Sequence, residues 1–361
     1  MRIASVSGFA FLGLLAGSAW AVPRTFVASY GKDTNPCTVG KPCRTFAAAI
    51  AATDINGQVI AVDSAGYGPV TLTSDGISII GAPGVHAAIT TTGNTDAVTL
   101  NGPTNGTIVL RNLYITSDGT GSTTEGIVVN SGIALTIDHC FISSFPSTAI
   151  KIQPANSALV WITDTVIQQA DVGISIGGPG VPLVTVDRCR IGGTRFGVWS
   201  IGQAVLTFRN TVIDYGSQFG LFASGGSSTK IGIENSSFSN CPTAVYVTNT
   251  ILSAQNVTIT SSGDGLVASS GAKVSIDSCI LSGNYIAVQV YGDAGIANST
   301  ISDNTTGVSV SSGAARLTRN TITRNGTGIS VVGGSAYSTG DNLVDGNATD
   351  LSGTISPATK M

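Results

Sequence analysis

The sequence predicts an all-β chain: a parallel β-helix of about ten or more coils, closed at its N-terminal end by an α-helix. Two residue patterns advance in step along most of the chain. Short strands of period two alternate with turns rich in Gly, Asn and Ser, and no helical crossover separates them. A doubly wound fold would need such crossovers, and a closed antiparallel barrel would not need one pattern repeated ten times.

The composition agrees. Hydrophobic residues make up 42% and charged residues 10% of 361, with 46 glycines. That is too apolar for a disordered chain and too rich in glycine for a helical bundle. The net charge of −3 and the scattered arginines leave no basic patch, which excludes nucleic acid as an expected partner.

Arg2, the apolar run Phe9 to Ala16 and the small-x-small string Ala19-Trp20-Ala21 have the layout of a secretory signal over residues 1–21. The mature chain is therefore expected outside the cytoplasm, secreted or at the cell surface. No later apolar run reaches the ~18 residues of a membrane span. Residues 22–58 are read as an N-terminal cap. There Cys37 and Cys43 flank a Pro-containing loop and can close a local disulfide in an oxidising compartment. Arg44 to Thr53 (RTFAAAIAAT) is an amphipathic, alanine-rich helix, suited to cover the open core and strand edges of a first coil. Strands are expected from Val59, Val70 and Ile77.

The solenoid is assigned to residues 59–351 and a loose tail to 352–361. One line of its repeat places a polar residue, often Asn, three positions before an apolar one. It runs from Asn112 and Ile115 through His139, Asp164, Arg188, Asn210, Asn235, Asn256, Ser278 and Asn298 to Arg319 and Ile322. The spacing ranges from 27 residues between Ile115 and Ile142 to 20 between Leu281 and Ile301. Asn suits such a turn, because it tolerates the left-handed conformation and its side chain can reach the neighbouring coil. In this register Cys140, Cys189 and Cys279 share one inward column with Thr165, Thr211 and Ser236. They lie two and four coils apart, roughly 10 and 20 Å, which no disulfide spans. They are read as small buried fillers.

The opening segment resembles secreted right-handed β-helix proteins of the pectin-lyase-like superfamily. The match runs through Gly31, Asp33, Asn35, Pro36, Gly57, Ile60, Val62, Gly66 and Tyr67. The resemblance implies the right hand of the helix. For function it implies little, since the superfamily includes lyases, hydrolases, epimerases and adhesins.

Hydrolases of this fold carry paired carboxylates in N-x-D and D-D motifs. Asn94-Thr95-Asp96 is the one such string here, with no Asp-Asp partner, and it falls in a glycine-rich turn. Lyases of the fold bring Ca²⁺, which wants converging carboxylates. The outward column Arg111, Asp138, Thr163, Asp187, Arg209, Glu234 instead alternates in sign at Asp187, Arg209 and Glu234, as an ion-pair ladder does. His139 stands where other coils carry Asn and is read as a turn residue; His86 has no acidic neighbour in sequence.

The second line of the repeat gives the outward column Val128, Lys151, Ser175, Trp199, Phe222, Tyr246, Val267, Gln289, Ser309, Ser330. Trp199, Phe222 and Tyr246 on consecutive coils, with Lys151 and Arg195 nearby, are the expected substrate-binding residues, since exposed aromatic faces suit sugar rings. The expected function is a non-catalytic carbohydrate-binding or surface-structural scaffold without a cofactor, its partner a polysaccharide or cell-surface glycan. The alternative is a polysaccharide-acting enzyme, a lyase on a uronate-containing polymer, which would bring Ca²⁺.

Overall fold

The structure, a computed structural model, describes residues 22–73, 76–102, 106–226 and 228–358. The export signal expected over residues 1–21 lies outside the described residues.

One coil shows how the repeat folds. Leu183–Asp187 forms a strand on the first face. Arg188 then turns the chain with φ 52°, and Arg190–Gly192 forms the second face. Gly193, at φ 63°, turns it again into Phe196–Ile201 on the third face. A short loop returns to Val205, which pairs in parallel with Leu183 one coil earlier. Within each strand alternate residues point inward: Val184, Val186, Ile191, Val198 and Ser200 are all buried. Parallel pairing sets like above like, so these residues merge with those of the neighbouring coils into one continuous core.

The stack holds about 13 coils. Its strands fall into a 15-stranded sheet, the first face, and a 24-stranded sheet that contains the other two. The second and third faces count as one sheet because Phe141–Ile152 and Val166–Ile176 continue round the corner between them without a break. More coils exist than the repeat marks, because pairing continues before Asn112 and after Leu343 without its side-chain pattern. Ile355–Pro357, expected as tail, pairs with the strand at Ser335–Ser338. Backbone hydrogen bonds suffice there, and the alternating apolar residues that reveal a strand in sequence are missing.

The corner residues explain the repeat. All ten polar residues of the first line, from Asn112 to Arg319, have φ between 48° and 55°. The following residue is buried, and where it is polar its side chain bonds the coil before; Leu113 and Val257 fill the same position with apolar side chains. Asn342 Oδ1 accepts the Asn320 N–H at 2.9 Å, Asn320 Oδ1 that of Ser299 at 3.0 Å, and Ser299 Oγ that of Cys279 at 3.1 Å. Thr211 and Thr165 do the same for Cys189 and Cys140. The expected filler column is therefore also a hydrogen-bond ladder. The second corner repeats the device: Asn347, Asn325, Asn304 and Asn284 accept from Asn325, Asn304, Asn284 and Ser262 at 2.8–3.0 Å. These buried backbone N–H groups have no water to turn to, so each acceptor satisfies an otherwise costly donor.

The cap differs from expectation at its edges. The helix spans Phe46–Ala51, shorter than Arg44 to Thr53. Thr45 is its extended N-cap and accepts from the Ala48 N–H. Thr53 already begins the strand Thr53–Ala61, which pairs with Val22–Val27. The first face thus starts inside the segment read as cap. Cys37 and Cys43 form the expected disulfide. Asp33 accepts from the N–H groups of Arg44 and Thr45 at 2.8 and 2.9 Å, tying the disulfide loop to the helix start. Tyr67 is fully buried, packs on Phe46 with ring centroids 5.0 Å apart, and donates to the Asp63 carbonyl at 2.6 Å.

Asn304→Ala removes the acceptor of the Asn284 N–H inside the stack. It is expected to cost about 2–3 kcal/mol, read as a lower denaturant midpoint. Asn298→Gly keeps an exposed left-handed corner open and should stay within about 1 kcal/mol of wild type. Equal losses at both positions would contradict the ladder.

Candidate functional site

The third face carries the outward column expected from the repeat. Its register is unbroken: Val128 pairs with Lys151, Lys151 with Ser175, Ser175 with Trp199, Trp199 with Phe222, and Phe222 with Tyr246. Trp199 and Phe222 stack with centroids 4.2 Å apart and planes 13° from parallel; Phe222 and Tyr246 stack at 5.3 Å and 8°. All three residues are half-buried. Parallel strands one coil apart fix this spacing, and offset stacking is the arrangement that aromatic quadrupoles favour.

A second aromatic column flanks the first. Phe196 pairs with Phe219, Phe219 with Thr243, Thr243 with Asp264, and Asp264 with Ile286. Phe196 and Phe219 stack at 5.9 Å and meet Trp199 and Phe222 edge-on. Sequence reading missed them, because each lies three residues before its outward partner and breaks the period of two. The signal was the small residue between them. At Gly197 an added Cβ would stand 2.5 Å from the Gly220 carbonyl oxygen, so only glycine fits between Phe196 and the buried Val198.

The two expected cations are not free. Lys151 Nζ lies 2.7 Å from Glu125 Oε1. Burial raises the Glu125 pKa, and Lys151 opposes that shift. Arg195 pairs with Asp171 at 2.8 Å and covers the Phe196 ring at 4.5 Å. Asp264 is the reverse case. Its carboxylate has no hydrogen-bond or ion-pair partner among the described residues, and burial holds its pKa above the usual carboxylate value. It lines a concavity of about 550 Å³ with Phe219, Thr243, Tyr246, Gln289 and Tyr291. There the Tyr246 hydroxyl donates to Ser269 Oγ at 3.0 Å and Gln289 Nε2 to Ser311 Oγ at 2.7 Å.

The remaining candidates are structural. Asn94 Oδ1 accepts the Ser122 N–H and Asp96 Oδ1 the Glu125 N–H, both at 3.0 Å, so the N-x-D string braces the next coil. In the first-face column Arg209 meets Glu234 at 3.2 Å, but Asp187 turns aside to Arg188 and to Asn210, 2.9 Å away. The expected three-member ladder is thus one pair, because the corner residues offer closer donors. His139 is a left-handed corner residue beside Asp138, and His86 packs on Tyr114. Among the described residues, Asp138, His139 and Asp164 form the one group close enough to hold a metal. Arg111 and Arg188 already bind its carboxylates at 2.7 Å, and it offers two carboxylates where Ca²⁺ needs six to eight oxygens. These residues do not fit calcium. Cys140, Cys189, Cys241 and Cys279 are buried, and burial pushes the Cys140 thiol up to about 12 and the Cys189 thiol to about 11. Such thiols stay protonated and are poor nucleophiles.

Residues 75–232 and 172–349 match the family of the right handed beta helix region, and the chain belongs to that family. The stack is accordingly right-handed. No curated protein sequence matches the chain. Among solved structures, the pectate lyase Pel9A is 14% identical with a TM-score of 0.52, over 88% of this chain and 80% of that one. The A-module of the Azotobacter vinelandii mannuronan C-5 epimerase AlgE4 is 14% identical with a TM-score of 0.53, over 84% and 91%. The Dettilon tailspike protein is 13% identical with a TM-score of 0.53, over 92% and 68%. At these identities the likeness is one of fold. No helix among the described residues is long and apolar enough to cross a membrane.

Two outcomes follow from these environments. The four free thiols should resist a thiol-reactive chromophore near neutral pH until the protein unfolds; rapid labelling of the folded chain would contradict their burial. The raised Asp264 pKa means that the folded state holds this proton more tightly than the unfolded state. The ionised group therefore costs stability above the raised value, and the cost vanishes as pH falls towards the ordinary aspartate value of 3.8. Asp264→Asn should melt higher than wild type near neutral pH, with the gap closing on acidification. A variant that melts lower at every pH would show a hidden partner for the carboxylate.

Proposed function

We propose that this chain is an exported, non-catalytic carbohydrate-binding or surface-structural scaffold, with Trp199, Phe222 and Tyr246 as the platform for its glycan. The observation that carries this reading is the stack itself. Three stacked, half-buried rings stand on consecutive coils of one face, where apolar surface left to solvent normally attracts a partner. Pyranose rings have apolar C–H faces that such a platform complements, and the hydroxyls and amide around the adjoining concavity offer polar contacts at its rim. Lys151 and Arg195 act here by holding Glu125 and Asp171 and by shielding Phe196. The export signal read over residues 1–21 and the Cys37–Cys43 disulfide suit a place outside the cytoplasm.

The fold shared with a pectate lyase and a mannuronan epimerase favours a second reading, an enzyme on a uronate polymer. Among the described residues, no group of three metal-ligating side chains lies beside the strip, which weighs against a Ca²⁺-dependent lyase.

Trp199→Ala is expected to weaken glycan binding about tenfold or more, equivalent to about 1.4 kcal/mol, with the melting temperature little changed. Unchanged affinity would rule out the platform. Incubation with pectate or alginate and Ca²⁺ is expected to give no rise in the absorbance of unsaturated products; clear turnover would replace the scaffold reading with the lyase.

A further inference from the structure

The third face is nearly free of charge. Along its strands from Phe196–Ile201 to Thr327–Val331, Asp264 is the single acidic or basic residue. The charges bordering the strip on the earlier coils are matched in pairs: Lys151 with Glu125, Arg195 with Asp171, Arg190 with Asp214. Asp264 has no ion-pair or hydrogen-bond partner for its carboxylate among the described residues, and it sits in the concavity beside Phe219 and Tyr246, one coil beyond the end of the ring stack.

We infer that the strip takes uncharged glycans and turns polyuronates away, with Asp264 as the specificity-determining acceptor for sugar hydroxyls. This rests on the strip being the glycan platform proposed above. An ionised carboxylate only accepts hydrogen bonds, so its natural complement is a pair of hydroxyl donors on one sugar ring. A uronate brought onto the same rings would set a second carboxylate near the first, in a half-buried site where like charges are poorly screened. Among the described residues, no unpaired cation on the strands of this face and no calcium-holding cluster would offset that repulsion. The cost of keeping Asp264 ionised and unpaired is itself consistent with a ligand-binding duty, since burial raises its pKa and no partner among the described residues relieves it.

The test is the affinity of the whole chain for oligosaccharides of one length at low salt. The panel holds neutral gluco-, xylo- and galacto-oligosaccharides, oligogalacturonate, oligomannuronate and chitosan oligomers. Wild type is expected to bind at least one neutral series roughly tenfold more tightly than either uronate. Asp264→Asn, which keeps the side chain's shape, should lose several-fold on the neutral ligand and narrow the gap to the uronates. Uronates or chitosan bound as tightly as the neutral series, with that binding lost in Trp199→Ala, would overturn the inference and leave the platform standing. An unaltered selectivity in Asp264→Asn would overturn it too. If no member binds, or if binding ignores Trp199, the platform itself fails and this inference falls with it.

Discussion

Everything in this molecule depends on the corner. A single residue in the left-handed conformation turns the chain, and the next side chain reaches inward to accept a backbone N–H of the coil before. Turning and bonding are thereby coupled wherever that next residue is polar, and the later coils, from Ser262 to Asn347, are indexed to their neighbours at both corners. Coil length still varies, both in the loop returning from the third face to the first, where Ile201 is followed by a strand at Val205 and Ile176 by one at Leu183, and at the second corner, where the path from Ile115 to Ile127 is longer than that from Ile167 to Ile174. Parallel pairing restores the register on each face after every corner, so columns of side chains stay superposed along the axis. The core, the thiol positions and the aromatic strip all inherit their order from that indexing.

Much of this was legible in the sequence, and the reason is chemical. The first corner prefers Asn, and enough coils keep it that Arg188 and Arg319, which are not Asn, can be placed by their position in the pattern. Once the register is known, Trp199, Phe222 and Tyr246 fall on consecutive coils without further assumption. The second corner was not legible. Its left-handed residues include Ser144, Gln169, Tyr215, Asp303 and Arg324, which share no side-chain chemistry. Phe196 and Phe219 escaped because a small residue interrupts the alternation that strand reading relies on. Asp264 escaped because its column reads Phe196, Phe219, Thr243, Asp264, Ile286, where no residue type repeats. Ion pairing was hidden for a different reason. Lys151 meets Glu125 only when two coils are stacked, and nothing local announces a partner 26 residues away. The helix limits were overrun because Thr45 and Thr53 look like helix in a run of alanines, while their hydroxyls serve as cap and inter-strand bond.

The strip and Asp264 are both departures from what the fold alone would favour. Half-buried aromatics forgo burial that a smaller aliphatic residue would achieve, and an unpaired half-buried carboxylate is a desolvation cost. A solenoid can tolerate such local losses because its stability is spread over many similar interfaces between coils. The indexed corners hold the backbone in place whether or not the outward side chains contribute.

That rigidity has a consequence for whatever lies on the rings. Their separations, 4.2 and 5.3 Å, scatter about the single spacing of roughly 4.8 Å that main-chain pairing imposes. The surface behaves as a ruler with fixed graduations along the solenoid axis. A polymer aligned with that axis is judged by the periodicity of its flat groups: one in step gains a contact at each graduation, and one out of step loses them together.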